Sequence, residues 1–351
     1  MAAREGPDRA DEAREGRDAA DDEPEPLICS GVLDEAVAAA RRRVDPGIFA
    51  PETVRPARFP RIVGVIAGPI DLHHQAPGIV ACYPLETDDG PALFDCGPTT
   101  CVPSLKAGLA ERGLELTDLR HLLLSHIHLD HAGAAGILVR EHPGLQVHVS
   151  EIGAPHLVDP SKLDASARRL YGDAFDELWG ELAPVPEANV HVAGERVVGL
   201  DCFPTPGHAW HHVSYLDEAG TLYAGDAVGV RLESGHFVMP PCPPPELDLE
   251  AWDATIGEIE RRAPGRLALI HFGVFDDVEP HLALLRETLG RWGAWVEDGM
   301  DEQTFVAAAA DDVSKLDPDL VDEYERAGPY WHHFRGFERY WRKKRETAAT
   351  T

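Results

Sequence analysis

The stretch SHIHLDHAG, residues 125–133, places His126, His128, Asp130 and His131 within six positions. It directly follows an apolar run, LRHLLL at 119–124, that reads as a short internal strand. His126 therefore leaves the end of a strand. His128 lies two residues on, and in extended backbone both imidazoles face the same way. Asp130 and His131 are adjacent and diverge in a strand, but a turn entering the next helix (AAGILVREHPG) aims them at a neighbouring point. Burying such groups without compensation costs on the order of several kcal/mol for each charged member. A divalent cation removes that cost, because imidazole and carboxylate are the expected ligands of zinc, iron or manganese.

Three later polar residues also stand at strand ends. His208 closes FPTPGH, Asp226 closes TLYAGD, and His271 follows the apolar run Leu267-Ala268-Leu269-Ile270. Gly207 and Gly225 precede two of them and permit tight turns. Together with the first cluster this gives seven donors, too many for one zinc, which takes about four ligands and keeps one position open in catalysis. Two ions sharing a carboxylate use them all. On that count His126, His128 and His208 hold the first ion, Asp130, His131 and His271 the second, and Asp226 bridges.

The surrounding sequence predicts the scaffold. RIVGVIAGPI (61–70) reads as a strand. GIVACYPLETDDGPALFDCG (78–97) reads as two strands joined by an Asp-Asp-Gly turn. A helix is expected from Val102 to Arg112, closed by Gly113. A strand at 145–150, three successive strands within 197–228, a helix near 251–262 and a strand at 266–273 follow. Strands, strand–helix units, further strands and terminal helices point to a layered domain of mixed α and β structure. Residues 153–188 read as a cap-like insertion with Tyr171, Phe175 and Trp179 at four-residue spacing. Such a stripe usually packs a helix on its own domain; its functional alternative is an apolar wall for a substrate. Beyond 280 the chain is mostly helical and ends in the aromatic-rich PYWHHFRGFERYW. That tail can dock on the core, complete a pocket or join two subunits as a homodimer, and docking or dimerisation fits it better than catalysis.

Composition narrows the function. The chain has 351 residues, 44% of them hydrophobic, and a formal charge of −29 from 32 basic and 61 acidic side chains. Such a field repels nucleic-acid backbones and anionic membranes, which leaves a small molecule as the expected partner. The six cysteines form no CxxC pair, and Cys82, Cys96 and Cys202 read as buried thiols. No run of twenty apolar residues and no basic, greasy leader occur, so a cytoplasmic protein is expected. Residues 1–26 are nearly all Ala, Arg, Gly, Pro, Asp and Glu, and a disordered acidic tail is expected there.

These residues resemble the metallo-beta-lactamase superfamily, and within it the glyoxalase-II-like hydrolases. The HxHxDH signature stands as His126, His128, Asp130 and His131, with TPGH supplying His208, AGD supplying Asp226 and the last strand supplying His271. LFDCG resembles the early D-x-G element, which implies that Asp95 orients a ligand. The resemblance implies an α+β fold, an αββα sandwich of two facing mixed sheets, over a catalytic domain at 45–280, followed by a helical extension at 281–351. It implies hydrolysis of a small ester, thioester or lactone by a water that two divalent cations, zinc first and manganese or iron as alternatives, deprotonate. Asp130 has a second expected role, orienting that water or passing a proton to the leaving group.

Asp95, Asp71 and Ser125 are the candidates for holding ligand imidazoles. His73 and His74 are placed at the pocket mouth, and His211 and His212, in AWHH, as groups facing the substrate or bracing the ligands. Relatives that hydrolyse acyl-homoserine lactones often carry a tyrosine three residues after the bridging aspartate; Gly229 stands there, which weakens a lactonase assignment. A mononuclear iron sulfur dioxygenase, a phosphodiesterase and a non-catalytic metal-binding protein are the rival readings.

Overall fold

The computed structural model describes residues 64–65 and 68–350. The expected acidic tail at 1–26, and most of the strand expected at 61–70, lie outside the described residues.

Two sheets are built in chain order. The first has seven strands: β1 (Gly64–Val65), β2 (Ile70–Asp71), β3 (Ala81–Thr87), β4 (Gly90–Phe94), β5 (His121–Leu123), β6 (Gln146–Val149) and β7 (Val190–Val192). β3 and β4 form the expected hairpin, with Thr87 opposite Gly90. β4, β5, β6 and β7 then run parallel, which requires crossovers. The first crossover carries α1 (Val102–Glu111) and the second α2 (Leu129–Ala132) and α3 (Ala135–Glu141). β5 is buried throughout, as a central parallel strand covered on both faces must be.

The second sheet has six strands in the order β13-β12-β11-β10-β9-β8. They are β8 (Arg196–Val197), β9 (Leu200–Pro204), β10 (Val213–Leu216), β11 (Thr221–Tyr223), β12 (Arg266–Leu269) and β13 (Gly273–Phe275). The three strands expected within 197–228 are β9, β10 and β11. The strand expected at 266–273 is shorter, because the chain leaves it after Leu269 and returns as the antiparallel β13. His271 thus sits in the connection, outside the ladder, where its ring has freedom of aim.

The sheets face each other across an aromatic core. Phe94 packs on Tyr223 with ring centroids 5.5 Å apart and on Tyr215 at 5.9 Å, and Tyr83 meets Tyr223 at 6.0 Å. The Tyr215 hydroxyl donates across the gap to the Leu124 carbonyl at 3.1 Å. Burying rings with their hydroxyls satisfied gives hydrophobic gain without a desolvation penalty. Cys82, Cys96 and Cys202 are buried free thiols in this core.

Segment 153–188 carries three helices, α4 (Ala154–Val158), α5 (Ser161–Tyr171) and α6 (Phe175–Leu178). Helix α7 (Leu249–Arg262) is capped by Asp248, whose carboxylate accepts from Ala251 N–H at 2.9 Å. The C-terminal region is α8 (Val278–Glu297), α9 (Glu302–Ser314), α10 (Val321–Ala327) and α11 (Tyr330–Thr350). Their shared core is Trp292, fully buried, with Phe305 at 5.5 Å and Tyr330 at 6.2 Å. Tyr330, Phe334 and Phe337 of the aromatic tail are buried in this layer. Among the described residues no helix is long and apolar enough to cross a membrane.

Candidate metal centre

The seven donors converge at one edge of the sandwich in two groups: His126, His128, His208 and Asp226, and Asp130, His131 and His271. In the first, His208 Nε2 lies 2.8 Å from His128 Nδ1, 3.2 Å from His126 Nε2 and 3.3 Å from Asp226 Oδ2. In the second, Asp130 Oδ2 is 3.3 Å from His271 Nε2 and 3.7 Å from His131 Nε2. Asp226 faces this group with its other oxygen, Oδ1, 3.3 Å from His131 Nε2 and 3.8 Å from His271 Nε2. Donor atoms held tetrahedrally about 2.1 Å from one ion stand roughly 3.4 Å apart, so both groups have the spacing a small cation needs.

Local backbone explains the convergence. His128 is the extended residue before α2, and Asp130 and His131 occupy that helix's first turns, so the chain switches from strand to helix inside the motif. Asp226 follows Gly225, whose φ of 50° lies in the left-handed region; a Cβ there would stand 2.6 Å from Ser125 Cβ. Gly207, at φ 139°, passes so close to Trp252 that a Cβ would meet it at 2.3 Å.

The ring partners decide which nitrogens point inward. His208 Nδ1 bonds the Pro241 carbonyl at 2.7 Å and His271 Nδ1 the Ile79 carbonyl at 2.9 Å. A carbonyl only accepts, so both Nδ1 atoms carry the hydrogen and both Nε2 atoms present bare lone pairs in the neutral rings. His131 Nδ1 donates to Asp95 Oδ2 at 2.8 Å. Ser125 Oγ donates to the same oxygen at 2.7 Å, which leaves its own lone pairs to accept from His126 Nδ1 at 3.0 Å. Asp95 and Ser125 therefore fix two imidazoles at once, and Asp95, fully buried, also accepts from Ser125 N–H at 2.7 Å.

Two inward atoms, His131 Nε2 and Asp226 Oδ1, are buried and have no hydrogen-bond partner among the described residues. Orphaned buried polar atoms are rare and costly, and a cation between these two satisfies both. Electrostatics point the same way. Burial alone would raise the Asp226 carboxyl, but the imidazoles of His131 and His208 outweigh it and hold it well below the usual carboxylate range. Burial would lower His131, yet Asp226, Asp130 and Asp95 together push it well above an ordinary imidazole. The centre thus calls for positive charge, which a cation supplies at the point where the lone pairs meet. The residues fit a dinuclear site.

The remaining expected residues divide. His211 and His212 are both buried. His212 Nδ1 lies 2.8 Å from Thr205 Oγ1, and its Nε2 accepts from Asp226 N–H at 3.1 Å. With both nitrogens spent inside the protein it braces the backbone of a ligand, Asp226, where the sequence leaves bracing and substrate contact as alternatives. His211 stacks on His126 at 5.8 Å, and its Nε2 lies 3.2 Å from Glu246 Oε2. Glu246, in the proline-dense segment 239–250, has no motif that would have singled it out.

Asp71 does not touch a ligand ring. Its carboxylate accepts from the backbone N–H groups of His73 and Gly78, each at 2.9 Å, and so ties down the loop that leads to Ile79. His73 pairs with it at 3.3 Å and is 60% exposed. Phe175 turns into its own segment, 1% exposed with the Arg168 guanidinium 4.1 Å above its ring, so the bland reading of the stripe holds for this member. His74, Tyr171 and Trp179 group together: Trp179 lies 5.0 Å from His74 and 5.1 Å from Tyr171 between ring centroids. The charge of Asp130 acts on both His74 and Tyr171, which puts this trio beside the second donor group.

A two-sheet sandwich with histidine and aspartate lone pairs converging at one edge defines a metal-binding protein of the αββα class. Residues 76–273, more than half of the chain, match the metallo-beta-lactamase superfamily, and the chain belongs to that superfamily. Its members bind divalent metals, often two. The chain is 29% identical over 157 residues to the Bacillus subtilis protein YobT, an alignment spanning 43% of this chain and 63% of that protein. It is 24% identical over 227 residues, 62% of this chain and 80% of the relative, to the metallo-beta-lactamase fold-containing protein ST1585 of Sulfurisphaera tokodaii. The crystal structure of ST1585 superposes with a TM-score of 0.55 at 20% identity, covering 78% of this chain and 96% of that one. A metallo-beta-lactamase family protein of Thermus thermophilus gives a TM-score of 0.56 at 21% identity over 80% of this chain and 93% of its own. These likenesses establish the fold.

Proposed function

We propose that this protein is a dinuclear metal-dependent hydrolase of a small ester, thioester or lactone, of the glyoxalase-II-like type, with zinc as the first choice of metal. The observation that carries this reading is Asp226, whose two carboxylate oxygens face two separate histidine groups. When bound, two divalent cations supply a water deprotonated near neutral pH and a Lewis acid for the substrate carbonyl. The chain's own residues do the rest. Asp95, Ser125 and the Pro241 and Ile79 carbonyls hold the imidazoles in the ligating tautomer. Asp130, with 21% of its side chain exposed against 5% for Asp226, is the group placed to orient the attacking water and carry a proton to the leaving group. His74, Tyr171 and Trp179 form an aromatic wall beside it, suited to the apolar part of an acyl or lactone substrate.

Metal analysis of the purified chain tests the first half of this reading and a hydrolysis panel the second. Two ions per chain, and hydrolysis of a lactone, thioester or aryl ester that a chelator abolishes and zinc restores, are expected. One ion per chain, or turnover that survives chelation, ends the reading. Oxygen uptake with a persulfide would move the protein to the iron dioxygenases, and cleavage of a bis-aryl phosphate in place of the carbonyl panel to the phosphodiesterases.

A further inference from the structure

The family match ends at residue 273, yet the C-terminal helix reaches the same centre. Pro241, whose carbonyl holds His208, is followed by Cys242, whose N–H donates to His333 Nδ1 at 3.1 Å. One turn along α11, Gly336 lies against the Cys242 carbonyl so closely that a Cβ would stand 1.8 Å from its oxygen. The helix is therefore seated flush on the segment that orients a metal-site histidine.

His332, adjacent to His333, projects from another side of this seated helix. Asp130 and His208, one from each donor group, both lie within electrostatic range of its ring. Its Nε2 is shielded from solvent and has no hydrogen-bond partner among the described residues. Trp179 Nε1, from the aromatic wall near Asp130, is shielded and unpartnered in the same way. Buried polar nitrogens left unpaired are costly, and a ligand oxygen that accepts from them would remove that cost. Burial, with Arg335 adding to it, keeps the His332 ring neutral by pushing it down to about 4. A neutral ring with hydrogen on Nε2 is a donor.

We propose that His332 is a substrate-contacting residue, donating from Nε2 to an oxygen of the acyl group that becomes the product carboxylate, so that α11 forms one wall of the active site. The proposal rests on the hydrolase reading for the identity of its ligand. It also deepens that reading, because His332 lies outside the family match and belongs to this chain's own specificity.

The test uses hexanoate as a product-like probe, titrated calorimetrically into the zinc-loaded full-length protein, beside zinc content, melting temperature and kcat/KM on the ester, thioester and lactone panel. His332→Ala should weaken hexanoate binding by about 10- to 100-fold, the range for a lost hydrogen bond to a charged group. It should raise KM more than it lowers kcat and leave zinc content unchanged. His332→Gln, similar in reach and still a donor, should recover part of the loss. Hexanoate binding by the alanine variant as tight as wild type, a fall in its zinc content, or a glutamine variant no better than alanine would each overturn the proposal. If the wild type hydrolyses nothing on the panel, the hydrolase reading fails, while hexanoate binding that depends on His332 would still uphold the contact. Absence of hexanoate binding in the wild type overturns the contact itself.

Discussion

Two histidine clusters in this molecule use the same side chain in opposite ways. At the sheet edge, the outward nitrogens of His126, His131, His208 and His271 are held by Ser125, Asp95 and the carbonyls of Pro241 and Ile79, so the inward lone pairs converge. Elsewhere on the first sheet, His121, His148 and His191 sit on neighbouring strands, on the face that carries Phe94, and several of their nitrogens pair in a chain. His121 Nδ1 lies 3.1 Å from His148 Nε2, His121 Nε2 lies 3.3 Å from Asp89 Oδ2, and His191 Nε2 bonds Gln146 Oε1. The His148 and His191 rings stack at 5.3 Å. Histidine density is similar, but only the first cluster presents several free lone pairs to one point. A metal centre is thus made by what holds the far side of each ring, as much as by the ligands themselves.

The sharpest challenge to this contrast is Asp226→Asn, which keeps the shape but removes the charge shared by the two donor groups. It should release at least one metal ion per chain and reduce hydrolysis to background, read by elemental analysis and the substrate panel. A variant that retains two ions and full turnover would break the comparison at its centre.

Next in size is Asp95→Ala. It removes the acceptor for His131 and, through Ser125, the fixed tautomer of His126. Metal affinity measured by chelator competition should fall about 10- to 100-fold. Ser125→Ala removes the His126 partner but leaves Asp95 to accept from His131, and should cost less than Asp95→Ala. Equal losses would mean that the carboxylate acts through the hydroxyl alone.

The second histidine cluster should answer differently. In His148→Gln, metal content and turnover should match the wild type, and stability should shift by no more than about 1 kcal/mol. A loss of metal would show that the two clusters are linked.

The smallest effect separates the clusters by acid. Burial, with His121 and His191 adding to it, lowers His148 to about 4. A folded value below the ordinary 6.5 of an imidazole means the unfolded chain takes up the proton first. The stability this neutral ring contributes is complete above pH 6.5 and drains away as pH falls towards about 4. His148→Gln should therefore show a smaller drop in melting temperature between pH 7 and pH 5 than the wild type, by differential scanning fluorimetry. An identical drop would assign the acid sensitivity elsewhere.

Much of the fold was legible because its signals are local. The Asp-Asp-Gly turn marked the β3–β4 hairpin, and the glycine-punctuated runs at 197–228 marked β9 to β11. Short edge strands escaped. β7 has an exposed middle and end, β8 is two residues long, and β13 follows its partner after a brief connection. Each takes its identity from the neighbour it pairs with, which no local pattern encodes. The metal-site donors were readable because each stands where an apolar run stops. Residues that act through geometry were harder: Asp71 and Phe175 were expected at the ligands or the pocket and serve elsewhere, while Glu246 and His332 carried no motif at all.

The sequence by itself determined the number and type of donors, the switch from strand to helix inside SHIHLDHAG, and the acidic balance of the chain. These are matters of residue identity and short-range backbone preference. Only the tertiary structure decided which nitrogen of each imidazole faces inward, which oxygen of Asp226 faces which group, and that the last helix is seated on the segment that holds His208. Hydrogen-bond direction and approach across a sandwich depend on residues as far apart as Ile79 and His271, or Cys242 and His333. Chain folding alone brings such pairs within bonding distance.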